Sequence, residues 1–250
     1  MTIRVAVTGA AGRMGSTVCR AVEEAEGLEL VARLDVGDEI TAAHLGGADV
    51  AVDFTVPAVA EANVHALIDA GVDAVVGTTG WTEESYARVR EHLAEPGAAG
   101  RSVLIAPNFA LSAVLAMSLA ARAARYFESA EVVELHHPNK VDAPSGTAIA
   151  TARGIAAARA EAGLGPVPDA TQADPLGARG AVVDGVHVHA VRLRGLTAHE
   201  EIVLGNPGEQ LTIRTDSFDR ASFMPGVILA VRRVGERKGL TVGLDALLDL

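Results

Sequence analysis

The residues best equipped for chemistry are concentrated in one stretch, residues 134–148, ELHHPNKVDAPSGTA. His136 and His137 carry groups that titrate near neutral pH, at about 6.5 when unperturbed. Lys140 brings a full positive charge on a flexible stem. Pro144, Ser145, Gly146 and Thr147 open an alanine-rich helix. The first N–H groups of a helix have no intrahelical partner and attract anions, and the hydroxyls of Ser145 and Thr147 can add donors there. Proton donors, a mobile cation and a helix start within about a dozen residues suit one task, holding an anionic substrate and protonating it.

Each group also has a plainer use. Ser145 is of the type that caps helices, and a single histidine is more often structural than catalytic. Two histidines could ligate zinc, but neighbours on a strand point to opposite faces, and no third ligand stands at helical spacing nearby. No metal is expected.

A second set of residues must bring a reaction partner to this stretch. Residues 3–8, IRVAVT, read as a buried strand. A turn follows with Gly9, Ala10, Ala11, Gly12, Arg13, Met14 and Gly15, then a helix over about 14–26 closed by Gly27. Residues 28–34 form the next strand, ending in Asp35. Strand, glycine turn, helix, strand and an acidic residue about 20 positions after the last turn glycine make up a dinucleotide fingerprint, here spaced GxxGxxG. Asp35 would bind the adenosine ribose of NADH. Its carboxylate opposes a 2′-phosphate, whereas Arg13 and Arg33 could neutralise one, so NADH is expected with NADPH possible.

Alternation continues. Strands are expected at 49–54, 72–76 and 102–106. Pro57 starts a helix that Gly71 ends, Thr82 caps the next, and another spans 110–126. This is an α/β, Rossmann-like doubly wound parallel sheet. Ligands sit at the carboxyl ends of such strands. The turns holding Gly77, Thr78 and Thr79, and Ala106, Pro107, Asn108 and Phe109, are therefore candidates for the nicotinamide side of the cofactor, against a plain reading as turn chemistry.

Beyond residue 131 the pattern changes. A helix over 146–162 and a Gly- and Pro-rich loop over 163–180 precede strand-like runs at 186–194, 200–204 and 210–215, with Asp184-Gly185 and Asn206-Pro207-Gly208 as turns. Helices no longer alternate with strands, so an inserted α+β domain with an open mixed sheet is expected, its exposed face a natural oligomer interface. His187, His189 and His199 read as sheet-face residues. A helix with a break or second start at Pro225-Gly226 is expected over 217–238, then a strand over 240–243 and an apolar tail that docks on the first domain. The domains are thus 1–107 with 217–250, and 108–216.

Composition narrows the class. A 49% hydrophobic content supports a core, yet no apolar run reaches the roughly 18 residues of a membrane span. A net charge of −11 and 3% aromatics argue against nucleic acid. One cysteine, Cys19, and the lack of a signal-peptide pattern at the start point to the cytoplasm.

Over essentially its full length the sequence resembles the 4-hydroxy-tetrahydrodipicolinate (dihydrodipicolinate) reductases of the diaminopimelate route to lysine. The family signature E-x-H-H-x-x-K-x-D-x-P-S-G-T-A is matched at every position of 134–148, and VTGAAGRMG, VDFT, VVGTTGW and APNF are similar as well. The resemblance implies reduction of 4-hydroxy-tetrahydrodipicolinate, by way of dihydrodipicolinate, with NADH or NADPH. It places the pyrophosphate on residues 9–14, the adenosine ribose on Asp35, and the nicotinamide half on residues 77–79 and 106–109. His136 becomes the proton donor or acceptor and Lys140 a proton donor. His137, Gly146 and Thr147 bind the substrate carboxylates. It further implies a cytoplasmic homotetramer joined through the sheets of the second domain. Some relatives carry lysine where this chain has Ala11, which bears on NADPH use. The chemistry also leads one to expect domain closure hinged near 108–110 and 215–218. Rival readings are another nicotinamide-dependent dehydrogenase of the same architecture, or a non-enzymatic NADH sensor, neither of which needs the HHPNK–PSGT stretch.

Overall fold

In the computed structural model, which describes residues 2–248, the valine-rich β1 (Ile3–Thr8) buries Val5, Ala6 and Val7 completely. Only a strand covered on both faces buries consecutive residues, because successive side chains point opposite ways. α1 (Arg13–Glu24) turns Val18, Cys19 and Val22 inward at helical spacing, and β2 (Leu28–Leu34) follows. β3 (Val50–Asp53), β4 (Asp73–Val76) and β5 (Ser102–Ile105) are buried at every position. Between them lie α2 (Pro57–Asp69), with its proline in the first turn, and α3 (Glu83–Leu93). Thr82 and Ser85 close α3 with a reciprocal capping box.

The next elements are α4 (Leu111–Ala124), β6 (Ser129–His136), α5 (Gly146–Glu161), β7 (Ala181–Val183), β8 (Val186–Arg192), β9 (Ala198–Asn206) and β10 (Glu209–Ser217). The chain then enters a 3-10 turn at Arg220–Phe223, α6 (Met224–Arg233) and β11 (Gly239–Val242). Two units result: one holds residues up to Ala110 and from Arg220 onward, the other Leu111–Asp219.

The first unit carries a six-stranded, all-parallel sheet in the order β11-β5-β4-β3-β1-β2. Order reverses at β1, where a doubly wound sheet opens its ligand crevice. The second unit carries a five-stranded mixed sheet, β10-β9-β6-β8-β7, in which β6 and β8 are parallel and the other pairs antiparallel. Burial alternates along β6, with Ala130, Val132 and Glu134 inward. Ala116, Ala120 and Ala124 of α4 share a core with Ala148, Ala152 and Ile155 of α5. Alanine at each fourth position lets these helices approach closely.

Three sequence expectations need correction. Residues 217–238 are not one helix: Ser217 ends β10, and the helix starts at Met224 with its proline in the first turn. A missing proline N–H breaks a helix interior but is harmless in the first turn. β7 is a strand that hydrophobic periodicity does not signal, being three residues long; Asp184 and Gly185, at φ 48° and φ 86°, turn it into β8. The strands 200–204 and 210–215 are each longer, because their antiparallel ladder runs unbroken from Ala198–Ser217 to Asn206–Glu209. Of the apolar tail, Leu244 and Leu247 are buried, and residues 249–250 lie outside the described residues. No helix among the described residues is long and apolar enough to cross a membrane.

Candidate active site

In the first unit the carboxyl ends of β1, β3, β4 and β5 surround a cleft of about 800 Å3, a size that suits a cofactor. Gly9, Gly12, Arg13, Met14, Asp35, Gly77, Thr78, Thr79, Pro107, Asn108 and Phe109 line it. Gly9 has φ 73°, and a Cβ there would meet the Phe54 carbonyl oxygen at 2.5 Å. A Cβ on Gly77 would enter the Phe54 ring at 2.0 Å. Packing against Phe54 therefore excludes a side chain at both glycines. No side chain caps the start of α1, and its first turn has no acidic residue, so its N–H groups remain available to an anion.

Asp35 stands at the end of β2. Its Oδ2 accepts from Ala11 N at 2.5 Å and its Oδ1 from Val36 N at 2.8 Å. Those N–H groups, Val36 first, hold the carboxyl below its usual range. Each oxygen keeps a second lone pair, which a ribose hydroxyl can use.

Ala10, Ala11 and Ala106 do not line the cleft. Ala10 is nearly buried and its N–H donates to Leu34 O at 3.0 Å, while Ala106 is wholly buried with its N–H on Val76 O. Sheet pairing claims both, and Ala11 serves Asp35. Phe54, Thr55, Val56, Asn63, Asp38 and Phe223 line the cleft without having been expected. The rule that places residues 77–79 at a strand's carboxyl end applies equally after β3 and would have found Phe54 and Thr55.

In the second unit, His136 closes β6. Residues two apart share a face, so His136 sits beside Glu134, and its Nδ1 lies 2.5 Å from Glu134 Oε2. Glu134 is completely buried and accepts three further hydrogen bonds: Arg192 Nη1 to Oε2 at 2.7 Å, Arg192 Nη2 to Oε1 at 2.8 Å, and Ser145 N to Oε1 at 3.1 Å. Burial opposes its charge, but the bonds from Arg192 and His136 outweigh burial and hold the carboxyl below its usual range. The His136 imidazole is pushed down by burial, which Glu134 opposes and the charges of Lys140 and Arg192 reinforce. Because an ionised carboxylate only accepts, Nδ1 carries the hydrogen and Nε2 is left for the reaction.

Arg192 also donates to Asp142 O at 2.6 Å, and Asp142 Oδ1 accepts from Lys140 Nζ at 2.7 Å. The loop bearing Lys140 is thus tied to β8 and to Glu134. His137 is exposed, and its carbonyl accepts from Lys140 N. Ser145 is the N-cap of α5: its Oγ accepts from Ala148 N at 3.2 Å, and the residue is 3% exposed. The hydroxyl expected among the substrate ligands is thus engaged as a helix cap. Gly146 and Thr147 begin the helix, Gly146 exposed and Thr147 partly so, and no acidic residue lies in its first turn.

Sequence reasoning misses Arg192, which reads as part of an ordinary strand, and gives Glu134, the first residue of the signature stretch, no role of its own. A charged residue in an apolar strand is the available signal, since buried charges require partners. His187, His189 and His199 are sheet residues paired with Asp169, Glu131 and Asp216. Among the described residues no group of three His, Cys, Asp or Glu could hold a metal ion.

Over its whole length the chain is similar to proteins of one family. The family described as "Dihydrodipicolinate reductase, N-terminus" matches residues 3–109, and "Dihydrodipicolinate reductase, C-terminus" matches residues 112–248. The 4-hydroxy-tetrahydrodipicolinate reductase of Beutenbergia cavernae is 70% identical over 250 residues, all of both chains. That of Bifidobacterium longum subsp. infantis is 62% identical over 99% of this chain and 100% of its own. The dipicolinate-bound dihydrodipicolinate reductase of Paenisporosarcina sp. TG-14 superimposes with a TM-score of 0.87 at 37% identity, over 99% of this chain and 100% of that one. The chain belongs to the dihydrodipicolinate reductase family.

Proposed function

We propose that this chain reduces 4-hydroxy-tetrahydrodipicolinate to tetrahydrodipicolinate, with loss of water, at the expense of NADH or NADPH. The observation that carries the reading is the Glu134-bound His136 beside Lys140 and the start of α5. When bound in the cleft, the reduced nicotinamide supplies the hydride that adds to the ring. Gly146 and Thr147 offer backbone N–H groups to a substrate carboxylate, His137 adds a ring N–H and Lys140 adds charge. As charge develops in the conjugated ring, a proton must reach it. His136 Nε2 and Lys140 Nζ are the proposed donors, and Glu134 stabilises the imidazolium in which His136 can donate. The Paenisporosarcina reductase was solved with dipicolinate bound, and dipicolinate is itself a ring dicarboxylate, which supports this substrate class.

The enzyme is further proposed to work in the cytoplasm as a homotetramer. Cys19 is free and buried. The mixed sheet packs α4 and α5 on one face, and its other face presents Glu131, Val133, Leu135 and Val203. Sedimentation equilibrium tests the assembly; a monomer would refute it. The activity is tested by following NADH oxidation with freshly made 4-hydroxy-tetrahydrodipicolinate. Wild type should turn over, and His136→Ala and Lys140→Ala should each lose about 10²–10⁴ in kcat. No turnover would favour a sensor, and turnover only with another substrate a different dehydrogenase.

A further inference from the structure

The cleft of the first unit has a buried carboxylate beneath it that the chemistry above does not use. Asp53, the last residue of β3, is completely buried. Its Oδ1 accepts from Thr55 Oγ1 at 2.8 Å, Thr78 Oγ1 at 2.9 Å and Thr55 N at 3.3 Å. Its Oδ2 accepts from Thr8 Oγ1 at 2.7 Å and Asn63 Nδ2 at 2.8 Å. These five donors are all uncharged, and they come from the ends of β1, β3 and β4 and from α2. Thr8, Thr55, Asn63 and Thr78 each line the cleft.

Such an arrangement is costly for stability alone, because a buried carboxylate without a cation gives up its hydration for neutral partners. It does, however, fix the direction of every hydroxyl around it. Thr8, Thr55 and Thr78 each donate to Asp53, so all three hydroxyls turn their hydrogens toward it. What their oxygens then keep is lone pairs. Thr55 Oγ1 spends one on Asn63 Nδ2 at 3.3 Å. Thr78 Oγ1 spends one on Thr55 N at 2.9 Å, which locks the turn after β4 to the turn after β3. The rest are left for the cleft.

We propose that Asp53 is a positioning residue for the nicotinamide half of the cofactor: by taking the hydrogens of Thr8, Thr55 and Thr78 it makes this end of the cleft a set of acceptors matched to the carboxamide –NH2. The proposal rests on the cofactor reading above. It accounts for three threonines around one buried acid, where an apolar packing would do if only the fold were served.

The test compares NADH with its reduced 3-acetylpyridine analogue, which keeps the carbonyl but has no N–H to give. ADP-ribose, which lacks the pyridine ring, reports on the rest of the site. Wild type should bind NADH about tenfold tighter than the analogue, the worth of roughly one good hydrogen bond. In Asp53→Asn the side-chain amide donates where the carboxylate accepted and turns at least one hydroxyl over. NADH should then weaken about tenfold, the preference over the analogue should shrink to about twofold, and ADP-ribose affinity should stay within about twofold. Thr78→Val, which leaves Asp53 its other donors, should narrow the preference in the same direction and serves if Asp53→Asn does not fold. An unchanged preference in both variants overturns the proposal, as does an equal loss of NADH and ADP-ribose affinity, which would make Asp53 structural only. A wild type indifferent to the carboxamide overturns it too. Wild type that binds neither dinucleotide nor ADP-ribose instead removes the cofactor reading, and the proposal with it.

Discussion

Nδ1 of His136 lies 2.5 Å from Oε2 of Glu134, a carboxylate with no exposure to solvent. The same carboxylate holds both terminal nitrogens of Arg192 and the N–H of Ser145. One acid therefore sets the imidazole tautomer, the start of α5 and, through Arg192 and Asp142, the loop of Lys140.

Replacing that acid separates its electrostatic effect from its packing. Glu134 raises the proton affinity of His136 against burial, so Glu134→Gln should move the imidazole pKa further below its present lowered position. Imidazole titration by NMR would read this directly, and the imidazolium-dependent limb of the kcat/KM profile should shift to lower pH with it. An imidazole that titrates unchanged would show that Glu134 does not govern it. The variant should also lose about 3–5 kcal/mol of stability, because Arg192 keeps its charge without its partner.

Ser145 and Thr147, two residues apart at the start of α5, should respond differently. Ser145→Ala removes a cap and should lower stability by about 1 kcal/mol, with KM changed less than about threefold. Thr147→Val should raise KM more than it lowers kcat. The reverse pattern at either position would exchange cap and ligand roles.

Glu200 supplies a test by pH. It is paired across strands with Glu134, its Oε1 accepts from Thr151 Oγ1 at 2.5 Å, and burial pushes its carboxyl up to about 7. Between its unfolded value, near 4.5, and about 7 the folded protein holds a proton that the unfolded chain has lost. Stability should therefore fall as pH rises through that window and level off above it. Glu200→Gln should remove up to about 3 kcal/mol of that decline. Denaturant titrations at pH 5 and pH 8 measure it; an equal decline in wild type and variant would mean that Glu200 is ionised throughout.

Cofactor preference turns on the ribose end of the cleft. Asp35 accepts from Ala11 N, and Asp38 receives Asp35 N at 2.8 Å, so two carboxylates meet at the proposed ribose site, where they would oppose a 2′-phosphate. Ala11→Lys places a cation there without touching the backbone N–H. It should tighten NADPH about tenfold and alter NADH by less than about threefold, as read by fluorescence titration of both dinucleotides. Equal tightening of the two would show that the lysine meets the pyrophosphate instead.

Much of this is legible in the chain because local rules and the fold agree. The β1–turn–α1–β2 unit follows from buried valines, Gly9 and Asp35, and the limits of β1 and β2 match their hydrophobic runs. Pro57, Thr82 and Ser145 mark helix starts because each satisfies a local backbone need. The polar networks beneath both sites are not legible. Glu134 meets Arg192 across 58 positions and Asp53 meets Thr8 across 45, and only the sheet registers bring these pairs together. The start of α6 escapes for a local reason: a proline within a helical pattern reads equally as a break and as a first turn.

The most direct measurement of the central claim is a crystal structure of the ternary complex with NADH and pyridine-2,6-dicarboxylate. The account predicts one carboxylate within hydrogen-bond distance of the Gly146 and Thr147 N–H groups, Lys140 Nζ released from Asp142 toward the ligand, and His136 Nε2 facing the ring. A dicarboxylate bound elsewhere, with Lys140 still on Asp142, would contradict it.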